Sequence, residues 1–173
     1  MIELEKTYLA KFIPSKLENK KEMIDIYIPD GIDHAPIRIR KNGNKFCITK
    51  KQPAKEDDCS VLIEQTIELS EAEFIELEKE IKGRRIEKIR YNFNHNGNIA
   101  EVDVFQGKLK GLVLIDFEFK TEEEKEGFEM PDFCLADVTQ KEFIAGGMLC
   151  GKSYEEIEEN LNRIGYKKIV IGE

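Results

Sequence analysis

The chain contains no tryptophan, and none of its apolar runs approaches the roughly 20 residues that a membrane-spanning helix needs. Its opening, Met1-Ile2-Glu3-Leu4-Glu5-Lys6, does not read as a signal peptide, so a cytoplasmic protein is expected. The four cysteines, Cys47, Cys59, Cys134 and Cys150, lie far apart with no C-x-x-C pair. That spacing suggests neither a structural zinc site nor a disulfide framework, and reduced, mostly buried thiols are expected. Positive charge is in deficit: the formal net charge is −8. A surface of that sign does not release counterions from DNA or RNA, and neither nucleic acid nor a membrane is expected as a partner. His34 and His95 sit beside turn-like segments and are expected at the surface rather than as catalysts.

What the chain does have is charge in quantity, 36% of residues against 40% hydrophobic, which describes a soluble globular protein. Its 173 residues suit one domain spanning 1–173. Short segments of alternating character recur at Ile2–Leu9, Glu22–Tyr27, Ile37–Lys41, Lys45–Lys51, Val61–Leu69, Ile86–Phe93, Asn98–Phe105 and Leu112–Phe119, and each predicts a strand. Asn42-Gly43-Asn44 and His95-Asn96-Gly97-Asn98 predict hairpin turns, because Asn and Gly tolerate the positive φ that tight turns require. Capping boxes at Ser70…Glu73, Thr139…Glu142 and Ser153…Glu156 predict helix starts. The first and third of these precede apolar residues at helical spacing. Gln52–Cys59 and Thr121–Pro131 read as polar loops. Tyr91, Phe105, Met148 and Leu149 read as packing residues.

Side chains two apart on a strand share a face, and that rule sorts the charges. Glu3 and Glu5 share one face, as do Arg38 with Arg40, Lys88 with Arg90, Glu101 with Asp103, and Asp116 with Glu118. Lys51 and Glu64 are expected to join them. A solvated face gains from mixing signs, whereas these pairs carry one sign each and repel unless an opposite charge lies between them. Converging acids suit Mg²⁺ or Mn²⁺, hard cations that prefer carboxylates and water. Converging bases suit phosphate oxygens, which Arg binds two at a time and Lys attracts as a point charge. Closing the sheet into a barrel would put both sets inside one tunnel.

At these residues the chain resembles the CYTH family, also called triphosphate tunnel metalloenzymes. Glu3-Leu4-Glu5 resembles the opening E-x-E of the family signature, Arg38-Ile39-Arg40 its R-x-R strand, Thr49-Lys50-Lys51 its T-x-K strand, and Lys88-Ile89-Arg90-Tyr91 its K-x-R-Y strand. Glu101-Val102-Asp103-Val104-Phe105 and Gly111-Leu112-Val113-Leu114-Ile115-Asp116-Phe117-Glu118 resemble two further acidic strands, and Val138-Thr139 resembles the start of a late helix. The chain departs from the pattern at Thr7, where the signature has Lys; at Thr66, where a second acid often follows Glu64; at Asp116, in place of Glu; and at Gly146-Gly147, in place of an Asn region.

The resemblance implies an α+β fold, an eight-stranded antiparallel β-barrel with flanking helices. It also implies a metal-dependent hydrolase of a triphosphate compound, inorganic tripolyphosphate or a nucleoside or thiamine triphosphate. A class IV-type adenylyl cyclase and a non-catalytic triphosphate or polyphosphate binder are the alternatives, since fold alone does not choose among activities. Phosphates are expected on Arg38, Arg40, Lys51, Lys88 and Arg90, and Mg²⁺ or Mn²⁺ on Glu3, Glu5, Asp116 and Glu118. Catalytic roles are expected of Glu64, Glu101, Asp103 and Lys88, in a monomer or homodimer.

Overall fold

In the computed structural model, residues 1–55, 57–81 and 83–170 are described. Eight strands form a closed antiparallel ring: β1 (Ile2–Ala10), β8 (Val113–Phe119), β7 (Asn98–Phe105), β6 (Arg84–His95), β2 (Glu18–Ile28), β3 (Ile37–Asn42), β4 (Lys45–Lys55) and β5 (Asp58–Leu69), with β5 returning to β1. Closure depends on β1 dividing its edges. Leu4–Leu9 pair with β8, while Ile2–Leu4 pair on the other side with Val61–Ile63 of β5. Beyond that point β5 diverges, and a short strand not expected from the sequence, β9 (Cys134–Asp137), takes the edge at Tyr8–Ala10.

Both predicted hairpin turns form. Asn42 pairs with Lys45 around Gly43, whose φ is 58°, and His95 pairs with Asn98 around Asn96 and Gly97, both at positive φ. The Asn94 side chain accepts from the Gly97 amide at 2.9 Å and holds the second turn.

Helix α1 (Glu71–Glu80) begins as its capping box requires, with the Ser70 amide donating to Glu73 Oε2 at 2.7 Å and the Glu73 amide donating to Ser70 Oγ at 3.3 Å. Its buried Phe74 packs on Phe46, ring centroids 5.2 Å apart, and closes a cluster against the outer face of β2, β3 and β4. Helix α4 (Tyr154–Arg163), preceded by a Ser153 amide that donates to Glu156 at 2.7 Å, buries Tyr154, Ile157 and Leu161. The Tyr166 hydroxyl accepts from the Val113 amide at 2.9 Å and donates to the Gly111 carbonyl at 2.8 Å, tying the chain beyond α4 to the start of β8.

Three expectations are corrected. Gln52–Cys59 is largely strand, because main-chain pairing of Gln52 with Ile63, Pro53 with Leu62 and Lys55 with Asp58 extends the β4–β5 hairpin; its polar side chains carry no apolar alternation to reveal it, and Glu56 lies outside the described residues. Thr121–Pro131 contains a short helix, α2 (Glu122–Glu126), whose first turn is capped by Thr121 Oγ1. Thr139…Glu142 caps no helix. The Thr139 hydroxyl bonds Asp137 at 2.6 Å and accepts from the Thr7 amide at 3.0 Å, so it pins β1 instead, and a 3₁₀ turn over Glu142–Ile144 leads into α3 (Gly146–Leu149).

Candidate active site inside the barrel

Strand parity turns one face of every barrel strand inward, and the inward residues enclose a cavity of about 420 Å³. Glu3, Glu5, Arg38, Arg40, Lys51, Glu64, Lys88, Arg90, Glu101, Asp103, Asp116 and Glu118 all line it. Lys6, one position out of phase, faces away and donates to the Phe128 carbonyl at 3.4 Å.

The charges divide by strand. On the side made by β2, β3, β6 and β7, Arg40 and Arg90 are each backed by a buried aspartate from a neighbouring strand. Arg40 Nε and Nη2 donate to the two oxygens of Asp25 at 2.6 and 2.8 Å, and Arg90 Nε and Nη2 donate to those of Asp103 at 2.6 and 2.7 Å. Lys88 also bonds Asp103, and Arg90 reaches Glu101 and lies 3.6 Å from Asp116. Arg38 donates to the Tyr27 hydroxyl at 3.1 Å and lies 3.8 Å from Glu64.

On the side made by β1, β8 and β5, carboxylates crowd together. Lys51 Nζ is shared between Glu5, at 2.7 Å, and Glu3, at 2.8 Å. Thr7 donates to Asp116 at 2.7 Å, filling the inward position where the family signature has Lys. Thr66 donates to Glu64 at 2.8 Å and contacts Thr49.

Burial would push the Asp103 carboxyl up, but Arg90 and Lys88 outweigh it and hold the group down to about 2. Asp25 is treated the same way, with Arg40 and Arg38 overcoming its burial and keeping it well below the carboxylate range. The acidic side behaves oppositely. Burial, then the Glu5 and Asp103 charges, raise Asp116; burial, then Glu101 and Glu3, raise Glu118. Lys88 is lowered, chiefly by burial and despite Asp103.

The donor set fits a hard divalent cation. Glu3, Glu5, Asp116 and Glu118 supply only carboxylate oxygens, Glu3 and Glu5 share the single ammonium of Lys51, and Glu118 has no ion-pair partner among the described residues. Among the same residues no group of three acidic, His or Cys side chains already stands in a metal-binding arrangement.

One end of the cavity is apolar. Tyr27, Ile86, Phe105 and Leu114 project there and are covered by Val138, Ile144 and Leu149. The glycine pair permits that cover: a side chain on Gly146 would collide with the Tyr27 hydroxyl, and one on Gly147 with the Ala35 backbone and the His34 ring. His34, half exposed, lies 3.7 Å from Glu142 beside the cavity, and Met148 is only partly buried whereas Leu149 is fully so.

Asp25 is the lining residue that the reading of sequence passed over. It stands between Ile24 and Ile26, the same alternation that marked the other strands, but alone rather than in a pair of one sign.

A closed antiparallel barrel with opposed basic and acidic walls defines a triphosphate-tunnel fold, and the comparisons agree. No family model matches the chain. The inorganic triphosphatase of Nitrosomonas europaea is 29% identical over 141 residues, which cover 81% of this chain and 91% of that protein. A crystal structure of an inorganic triphosphatase superposes with a TM-score of 0.64 at 26% identity, over 86% of this chain and 93% of the other. A putative adenylate cyclase from Bacillus halodurans superposes with a TM-score of 0.54 at 17% identity, over 99% and 94%, and shows the shared fold alone. The chain shares this fold with those proteins and is similar in sequence to that inorganic triphosphatase.

Proposed function

We propose that this protein hydrolyses a short linear triphosphate, inorganic tripolyphosphate first among the candidates, with Mg²⁺ or Mn²⁺ as cofactor. The observation that carries the reading is the convergence of Arg38, Arg40, Lys88 and Arg90 opposite a crowded carboxylate wall in one cavity. The triphosphatase relative supports it. Phosphoryl transfer asks mainly for positioning and charge stabilisation, which such walls provide.

Arg38, Arg40, Lys88 and Arg90 would hold phosphate oxygens with N–H groups already oriented by Tyr27, Asp25 and Asp103. Glu3, Glu5, Asp116 and Glu118 would hold the divalent cation, which supplies charge neutralisation and activation of water. Lys51, released from Glu3 and Glu5, would then reach the phosphates from the opposite wall. Lys88, its pKa lowered by burial, is suited to give a proton to the departing phosphate.

Asp103 takes a different role from the one read in the sequence. Saturated by Arg90 and Lys88 and ionised down to about 2, it is a poor proton acceptor and serves as a brace. Glu64 and Glu101 remain the groups to order the attacking water. The test is phosphate release from tripolyphosphate, ATP and thiamine triphosphate with each metal, beside Glu3→Gln/Glu5→Gln. Release from tripolyphosphate that vanishes in the double variant is expected. Pyrophosphate from ATP would instead point to a cyclase, and binding without release would point to a binding protein.

A further inference from the structure

We infer that Asp25 is a positioning residue that aims the Arg40 and Arg38 guanidinium groups into the cavity and so sets affinity for the polyanion. This rests on the triphosphate reading of the same site. Asp25 lies on β2 directly opposite Arg40 on β3, with Ile86 of β6 on its other side, and its side chain is 3% exposed. Both its oxygens are engaged by Nε and Nη2 of Arg40, which fixes the plane of that guanidinium and leaves Nη1 as the nitrogen without a partner among the described residues. Arg40 lines the cavity, so that nitrogen is the one available to a ligand.

Arg38 adds an independent observation. Its Nε is buried without a hydrogen-bond partner and lies 3.9 Å from Asp25 Oδ1, the nearest carboxylate oxygen to that atom among the ion pairs described. Two guanidiniums two residues apart on one strand face repel, and Asp25 is the buried countercharge beside both. A buried pair of this kind is close to neutral in stability against apolar residues of the same volume. Replacing the whole pair would therefore cost the barrel little, whereas removing Asp25 alone leaves Arg40 without its countercharge. What a carboxylate provides there, and an apolar side chain cannot, is a fixed orientation for a planar donor.

The experiment compares the wild type with Asp25→Asn and Asp25→Glu. Calorimetric titration with tripolyphosphate in chelator measures Kd without turnover, and phosphate release with Mg²⁺ measures KM and kcat. Asp25→Asn is expected to raise both Kd and KM about tenfold, with kcat within about threefold, and Asp25→Glu to lie between it and the wild type. A lower Tm with Kd and KM unchanged would show a merely structural pair and overturn the inference, as would a fall in kcat at constant KM. Should Asp25→Asn fail to fold, Arg40→Lys decides the matter, since it keeps the charge and loses the fork: Kd must rise about tenfold, and an unchanged Kd overturns the inference. A wild type that binds tripolyphosphate without releasing phosphate would sink the hydrolase reading and leave the Kd comparison intact. A wild type that binds none would overturn both.

Discussion

Replacing Asp103 with Asn separates a brace from a proton acceptor. The Asp103 side chain is 1% exposed and accepts from Arg90 twice and from Lys88 once. Asn preserves its shape and removes its charge, leaving two buried cations short of a partner. Breaking a buried pair costs about 3–5 kcal/mol, and the lower end applies because Glu101 and Asp116 remain beside Arg90. At roughly 2–4 °C per kcal/mol for a chain of this size, Asp103→Asn should lower Tm by about 6–12 °C. The acid limb should change as well. With a folded value near 2, below the ordinary value of about 3.9, Asp103 contributes stability that is fully present above about pH 4 and lost as pH falls toward 2. The variant should therefore lose less stability over that interval than the wild type, measured by urea unfolding at stepped pH. A Tm within about 2 °C of wild type, joined to a kcat loss of hundreds-fold at unchanged KM, would refute the brace and make Asp103 the base.

The crowded acidic wall predicts the opposite pH behaviour. Glu118 is raised in the folded state, so its contribution is favourable at low pH and is lost as pH rises through its folded value. Glu118→Gln should raise the urea midpoint in chelator at neutral pH and shrink the stabilisation that Mg²⁺ confers. Gly146→Ala drives a methyl group into the Tyr27 hydroxyl and should cost about 1–3 kcal/mol, partly recovered in combination with Tyr27→Phe, as a double-mutant cycle would show. Ser70→Ala should cost about 1 kcal/mol by chemical unfolding while leaving phosphate release unchanged, because the α1 cap lies outside the barrel.

The barrel strands were readable because one face of each is charged and the other packs on the core, so a period of two survives in the sequence. Where both faces meet solvent, as in the β4–β5 extension over Gln52–Lys55, the period vanishes and only main-chain pairing reveals the strand. β9 escaped for another reason: its four residues, Cys134–Asp137, exist as a strand only because β5 leaves an edge of β1 uncovered. The inward charges were found through pairs of one sign, a criterion that gathers Arg38 with Arg40 and cannot register a solitary Asp25. Thr139 misled because a hydroxyl followed three residues on by Glu satisfies the capping-box pattern, while here it is spent on Asp137 and the Thr7 amide. The closeness that Gly146 and Gly147 permit belongs to tertiary structure and leaves no local pattern to read.

A crystal structure with Mn²⁺ and a non-hydrolysable imidotriphosphate would show directly whether a triphosphate lies between the two walls with a divalent cation on the carboxylates. Anomalous density for Mn²⁺ is expected among Glu3, Glu5, Asp116 and Glu118, with the phosphates against Arg38, Arg40, Lys88 and Arg90. Phosphates on the outer surface, or Mn²⁺ bound away from those carboxylates, would contradict that arrangement.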